Sequence, residues 1–238
     1  MKLLYWDIEN APIIAATWQT YNINHIPPSH IIKDTFIISA QWKWEGGNVE
    51  SICSKGRDDT RVVKKLASLL SSADYAVAHN GDRHDWPVTL ARMQVLGLPP
   101  IKEPVFLDTL KMAKKAKHAS RSLDYLCSQF QLPRKREAEK GLWLDAAMGK
   151  QDAIEKIEHY GRGDIAPLEA LFRKLSPYSK TKLNRGIGAD KPCCPACGGT
   201  NLQSRGKRLT ISAAYQAWQC QDCGRWSQSG MVQRAFFK

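Results

Sequence analysis

The spacing of apolar residues changes once along this chain, and that change sets the fold class. Up to Cys53 the apolar and β-branched residues come in short runs: Leu3–Ile8, Ile13–Tyr21, Thr35–Trp44 and a looser Val49–Cys53. Runs of this length, rich in Ile, Thr, Phe and Trp, predict strands. Gly46-Gly47-Asn48 predicts a turn that joins the last two as a hairpin, and Asn22–Lys33, with Pro27-Pro28, predicts a loop. From Asp59 to Ala73 the spacing becomes three and four, which puts Val62, Val63, Leu66, Leu69 and Leu70 on one helical face. A strand at Tyr75–His79, a helix over Trp86–Leu98 and a strand at Val105–Leu107 follow. Helices over Leu123–Phe130, Ala153–Tyr160 and Ile165–Leu175 complete the pattern. Asp85 is the expected cap of the second helix, with Pro87 in its first turn, and Ser120 or Ser122 caps the third. Strands in a meander, then alternating helices and strands, predict an α/β fold with a mixed sheet and helices packed on it.

Acids close several of these segments. Asp7 and Glu9 end the first strand, two residues apart, so both project to one side while Ile8 turns to the other. Asp85 opens a helix five residues after Asn80, where a strand end leads into a helix start. Asp82 reads as a second acid of the site or a solvated loop residue, the latter favoured. Asp164 follows His159-Tyr160-Gly161-Arg162-Gly163; on a continuous helix Tyr160 and Asp164 share a face, and the two glycines weaken that helix. Carboxylates gathered from distant segments suit hard divalent ions, and two such ions clamp both reacting oxygens of a phosphodiester.

Asp7-Ile8-Glu9, Asn80-x-x-x-His84-Asp85 and Tyr160-x-x-x-Asp164 together resemble the three motifs of the DEDD 3′–5′ exonucleases. The tyrosine form of that superfamily includes the proofreading domains of DNA polymerases. Phe106-Leu107-Asp108-Thr109-Leu110 and Ser122-Leu123-Asp124-Tyr125-Leu126 resemble its linking strand and helix. The resemblance covers about residues 1–178 and implies a ribonuclease-H-like mixed five-stranded sheet flanked by helices. It implies two Mg²⁺ or Mn²⁺ ions, both bridged by Asp7. Glu9 and Asp164 complete the ion that activates water, Asp85 supports the second ion through water, and Tyr160 orients the attacking water. Asn80 touches substrate or orders its loop. Two points stay open. His84 stands where the family commonly carries Phe or Tyr, which bears on how the wall beside Asp85 packs. His159 fits the histidine form, His-x-x-x-x-Asp, so the water-positioning residue is Tyr160 or His159, with Tyr160 favoured because Ile165–Leu175 looks more like the tyrosine form.

Cys194-Pro195-Ala196-Cys197-Gly198 and Cys220-Gln221-Asp222-Cys223-Gly224 are two CxxC knuckles. Four thiolates so arranged close a tetrahedral, structural Zn²⁺ site, and the pattern resembles a zinc ribbon with a hairpin over Leu209–Trp218. Cys193 is the spare, while Cys53 and Cys127 read as buried core thiols. From Ser176 to the end, ten Lys/Arg stand against two acids, so this stretch carries +8 of the net +12. Arg205, Lys207, Arg208 and Arg225 interleave there with Tyr215, Trp218 and Trp226, a mix suited to phosphates and stacked bases. Core formation by Trp218, and docking of the ribbon onto protein, are the competing readings.

The expected organisation is a catalytic domain over 1–178, a basic linker over 179–191 and a small β-rich ribbon with its tail over 192–238. No apolar run reaches the roughly 18 residues of a membrane span. An acid at position 7 comes too early for a signal peptide, so the expected location is cytoplasmic. The whole reads as a metal-dependent 3′–5′ exonuclease, with DNA favoured over RNA as substrate. Because 238 residues do not hold a polymerase, a proofreading partner is expected to be a separate DNA polymerase. The rivals are a ribonuclease or structure-selective endonuclease on the same fold, or a non-catalytic accessory protein that binds nucleic acid.

Overall fold

The computed structural model describes residues 1–134, 139, 141–179, 183–186 and 189–234, the last six as main chain. Two compact units divide the chain, Lys2–Leu171 and Phe172–Lys238, the second joined by Met1.

The larger unit is built on β1 (Leu3–Asn10), the middle strand of a five-stranded mixed sheet. A short arm follows, in which β2 (Ile14–Ala15) pairs with β3 (Ile31–Lys33). The strand expected over Ile13–Tyr21 is therefore two residues long, and the expected loop ends in a strand. The reason is pairing: β3 offers only three residues, and Trp18 and Tyr21 stand in water. Strand β4 (Ile37–Trp44) returns antiparallel to β1, and β5 (Val49–Cys53) antiparallel to β4. Helix α1 (Thr60–Ser72) crosses to β6 (Tyr75–Ala78), which runs parallel to β1. Helix α2 (Asp85–Val95) leads to β7 (Val105–Asp108), parallel to β6, and the strand order is β5-β4-β1-β6-β7. Helices α3 (Thr109–Ala113), α4 (Leu123–Gln129), α5 (Leu142–Ala147), α6 (Gln151–Arg162) and α7 (Ile165–Leu175) complete it. The division between the two units falls inside α7.

Alternation along β1 sorts the core. Leu4, Trp6 and Ile8 pack with Ala40, Trp42 and the buried face of α1. The opposite face carries Phe36, Ile38 and Cys53 under Leu142 and Ala146 of α5 and Ile154 and Ile157 of α6. Burying each isoleucine there contributes about 1.5–3 kcal/mol. Cys53 and Cys127 are core thiols, and burial pushes both up to about 11. Asp59 ties three elements: its buried carboxylate accepts from Ile37 N (2.9 Å) and, bidentate, from Arg92 of α2 (2.7 and 2.8 Å). That hydrogen-bonded pairing raises the Arg92 pKa above its ordinary value. Ser122 caps α4, its hydroxyl accepting from Tyr125 N. Asp85 is the first residue of α2, and His84 holds the cap position without a side-chain cap bond.

The smaller unit holds an antiparallel sheet in the order β10-β9-β8, from β8 (Leu202–Leu209), β9 (Ala213–Cys220) and β10 (Trp226–Arg234). The expected hairpin is longer than Leu209–Trp218, and a third strand joins it. A bulge between Ser204 and Lys207 is filled by the Gln216 amide, which donates to Ser204 Oγ and the Gly206 carbonyl. Among the described residues no helix is long and apolar enough to cross a membrane.

Candidate active site and cysteine centre

Strand β1 delivers Asp7 and Glu9 to the α6 side of the sheet, and the turn between α6 and α7 delivers Asp164. Ligand-capable oxygens of the three lie within 4.8 Å of one another. At that separation each pair of charges repels by about 3–4 kcal/mol at an effective dielectric near 20. A divalent cation relieves this, and an all-oxygen donor set suits Mg²⁺ or Mn²⁺. Asp164 is buried, Asp7 and Glu9 are half-buried, and the cluster sits at the rim of the core.

The close approach of α6 places Asp164. Asp7 pairs across the ladder with Gln41 of β4, and Glu9 with Ser39. Cross-strand partners share a face. Gln41 and Ser39 are fully buried, and the Gln41 amide donates to Ser39 Oγ at 2.6 Å, making a polar floor beside the carboxylates. Gly161 lies directly on that floor: a Cβ there would fall 2.4 Å from Gln41 Nε2. Glu158, one turn earlier on α6, accepts from Ser51 of β5 at 2.6 Å. Helix α6 runs unbroken through Gly161 to Arg162, so the break expected among the glycines comes only at the Gly163–Asp164 turn.

Asp85 is not in the three-carboxylate group. Its buried carboxylate accepts from Ile8 N at 3.2 Å, the amide that lies between Asp7 and Glu9. The bond fixes the start of α2 against the end of β1. Asn80 has φ +70°, a left-handed conformation asparagine tolerates. Its N–H donates to Asp108 Oδ1 (2.9 Å), which also accepts from Leu110 N (2.8 Å), so Asn80 orders its loop through its backbone. His79 crosses the same region, bonded to Thr109 Oγ1 (2.8 Å) and the Arg121 carbonyl (3.0 Å). Asp82 is half-buried and ion-paired with Lys111 rather than freely solvated. His84 is exposed, and the wall behind α2 is aromatic: Trp86 lies 5.1 Å and Trp6 6.4 Å from Phe106, ring to ring. Tyr160 is half-buried, edge-on to Trp143 at 5.5 Å, whereas His159 is exposed.

In the smaller unit Cys194, Cys197, Cys220 and Cys223 bring their sulfurs within 4.8 Å. The Cys194–Cys223 and Cys197–Cys220 sulfurs are each 3.6 Å apart. Tetrahedral Zn–S bonds of about 2.3 Å set sulfurs roughly 3.8 Å apart, so the four fit zinc. Gly198 and Gly224 close the knuckles at φ +79° and +74°, donating to the Cys194 and Cys220 carbonyls. Cys193 stays outside and faces the Arg185 carbonyl. Of the basic residues singled out, Lys207 and Arg208 are exposed on β8, and Arg205 donates to Gln219 Oε1 (3.0 and 2.7 Å). Arg225 is half-buried and donates to the main-chain carbonyls of Ser176, Pro177 and Ser179. Trp226 is exposed; Tyr215 and Trp218 are half-buried.

Sequence reasoning did not find Gln41, Ser39, Asp59 or Asp108. Ser39 and Gln41 carried a signal, as the polar alternates of an otherwise apolar strand. Asp59 carried none beyond preceding a helix, and Asp108 was legible only as the end of a strand in the segment Phe106–Leu110.

A central mixed sheet flanked by helices, with acids where β1 ends, is the ribonuclease-H-like architecture. The model of the RNase_H superfamily matches residues 32–176, and the chain belongs to that superfamily. Asp85, Tyr160 and Asp164 fall inside the matched span, whereas Asp7 and Glu9 precede it. Among solved structures, the chain is similar to the family B DNA polymerase from the hyperthermophilic archaeon Pyrobaculum calidifontis, with a TM-score of 0.53 and 20% identity. The likeness covers 74% of this chain but 25% of the polymerase; it is one of fold. Comparison with curated proteins gives no match.

Proposed function

We propose that this chain is a metal-dependent 3′–5′ exonuclease that hydrolyses terminal phosphodiesters of DNA, with Asp7, Glu9, Asp85 and Asp164 holding two Mg²⁺ or Mn²⁺ ions. The observation that carries the reading is the meeting of Asp7, Glu9 and Asp164 within 4.8 Å on a ribonuclease-H-like sheet. When bound, the ions supply Lewis-acid charge and a nucleophilic water at neutral pH. Asp7 and Glu9 hold their places through the β1–β4 ladder, and Asp164 through the turn that follows Gly161. Asp85 holds the end of β1 through Ile8 N and so governs where the first two carboxylates point. Tyr160 orients the attacking water. Its half-buried ring is steadied by Trp143, which favours it over the exposed His159. In this reading the four cysteines hold one structural Zn²⁺, since four protein ligands leave no open position. Arg205, Lys207, Arg208 and Trp226 contact nucleic acid, and Arg225 serves the unit's own main chain. The site lies inside the cell, and a separate DNA polymerase is the partner this activity suits.

The test is time-resolved gel analysis of 5′-labelled DNA and RNA strands with Mg²⁺, open or blocked at the 3′ end. Stepwise shortening of open-ended DNA is expected. Asp7→Asn and Asp164→Asn should each lower the rate on the order of 10²- to 10³-fold, as loss of a preorganised electrostatic group does. Undiminished nucleotide release by Asp7→Asn sinks the assignment. Equal cleavage of blocked strands makes the protein an endonuclease instead.

A further inference from the structure

Within the smaller unit, a cleft of about 600 Å³ is lined by Pro177, Tyr178, Arg208, Arg225 and Trp226, among others. Its two aromatic rings are left largely in water, Tyr178 82% and Trp226 57% exposed. Rings of that size gain from burial, so two standing open in one cleft call for a flat apolar occupant. The cleft is also built. Arg225 donates to the carbonyls of Ser176 (2.8 Å), Pro177 (3.3 Å) and Ser179, and so braces the turn that carries Tyr178. Its Nη1 is thereby committed to main chain, and Arg208, exposed on β8, adds a second cation at the cleft. No acid lines it among the described residues.

We propose that this cleft receives an unpaired base of a single-stranded nucleic acid, stacked on Tyr178 and Trp226, with Arg208 on the neighbouring phosphate. Aromatic platforms beside basic side chains bind single strands because every base offers a π-face. A duplex hides those faces. The ten basic residues against two acids beyond residue 175 match a polyanion rather than an apolar protein surface. The inference rests on the proposed function only in taking nucleic acid as the ligand; it does not need the carboxylates to be catalytic.

The test uses the full chain with Asp7→Asn, in Mg²⁺-free buffer without chelator so that bound zinc is kept. Binding of fluorescent dT12, U12, a duplex and an abasic 12-mer is measured by anisotropy, with tryptophan quenching as a second readout. The single strands should bind more tightly than the duplex or the abasic strand. Tyr178→Ala and Trp226→Ala should each weaken dT12 roughly 5- to 100-fold while leaving the abasic strand unchanged. Tyr178→Phe, which keeps the ring, should retain binding and serves as the folding control. Equal affinity for dT12 and the abasic strand, or unchanged dT12 binding in both alanine variants, overturns the proposal. Preference between dT12 and U12 assigns the strand type. Failure of the catalytic reading registers separately, as Mg²⁺-dependent nucleotide release that survives Asp7→Asn.

Discussion

Gly161 shows how one side chain's absence places another residue's charge. A methyl group there meets the amide of fully buried Gln41, so the helix that leads into the Asp164 turn could not lie where it does. In an ordinary helix Gly→Ala stabilises by up to about 1 kcal/mol. Here Gly161→Ala is expected to destabilise by about 1–3 kcal/mol through overpacking, and to lower nuclease activity. Shortening the neighbour in Gly161→Ala/Gln41→Ser should recover most of the stability. Urea denaturation of the single and double variants checks both signs. The sign is the diagnostic: stabilisation by Gly161→Ala would mean that helix propensity outweighs the close contact.

At the scale of elements, the sheet and its first two helices are joined by polar ties as well as by the core. Asp59 gathers the start of β4, the start of α1 and Arg92 of α2 into one buried, bidentate pairing. Removing one partner of a buried pair leaves a charge uncompensated, at about 3–5 kcal/mol. Asp59→Ala should therefore lower the denaturation midpoint sharply. Arg92→Ala added to it should cost far less than it does alone, because the charge it strands is already gone. A double-mutant cycle measures that coupling. The Asp85–Ile8 bond is a second such tie, and it joins α2 to the strand that carries Asp7 and Glu9.

For the whole molecule, the two compact units rest on different physics. Lys2–Leu171 has extended apolar clusters on both sheet faces. In the smaller unit, the cluster at the cysteines has three buried members, Cys194, Ala196 and Cys220, with Leu202 and Cys223 against them. In the proposed reading, a metal on the four cysteines supplies stability that so small a cluster does not. A zinc chelator such as 1,10-phenanthroline is expected to open the smaller unit to proteolysis while Lys2–Leu171 stays resistant. Protease mapping with mass spectrometry reads this directly. Persistence of both units in the metal-free protein would show that packing alone holds the smaller unit.

The sequence by itself determined the elements whose signal is local. Strand alternation, the helical spacing of α1 and the CxxC knuckles each depend on neighbours within a turn or a pleat. These features set the α/β class and a four-cysteine centre. The acids at segment ends were legible too, because a strand end or helix start marks them within a few residues. The short helices α3 and α5 escaped, being too brief to repeat a helical period, and so did β10. The arm at Ile13–Tyr21 misled, since β-rich composition does not supply a partner strand. Only the tertiary structure decided which acids meet. Asp7 and Asp164 are 157 residues apart, and their approach depends on Gly161 against Gln41, a contact with no local trace. It also turned Asp85 from helix cap to strand anchor, Asn80 to a loop support and Arg225 to a brace. In each case the deciding hydrogen bond or steric contact comes from a distant segment, and its geometry exists only once the sheet has formed.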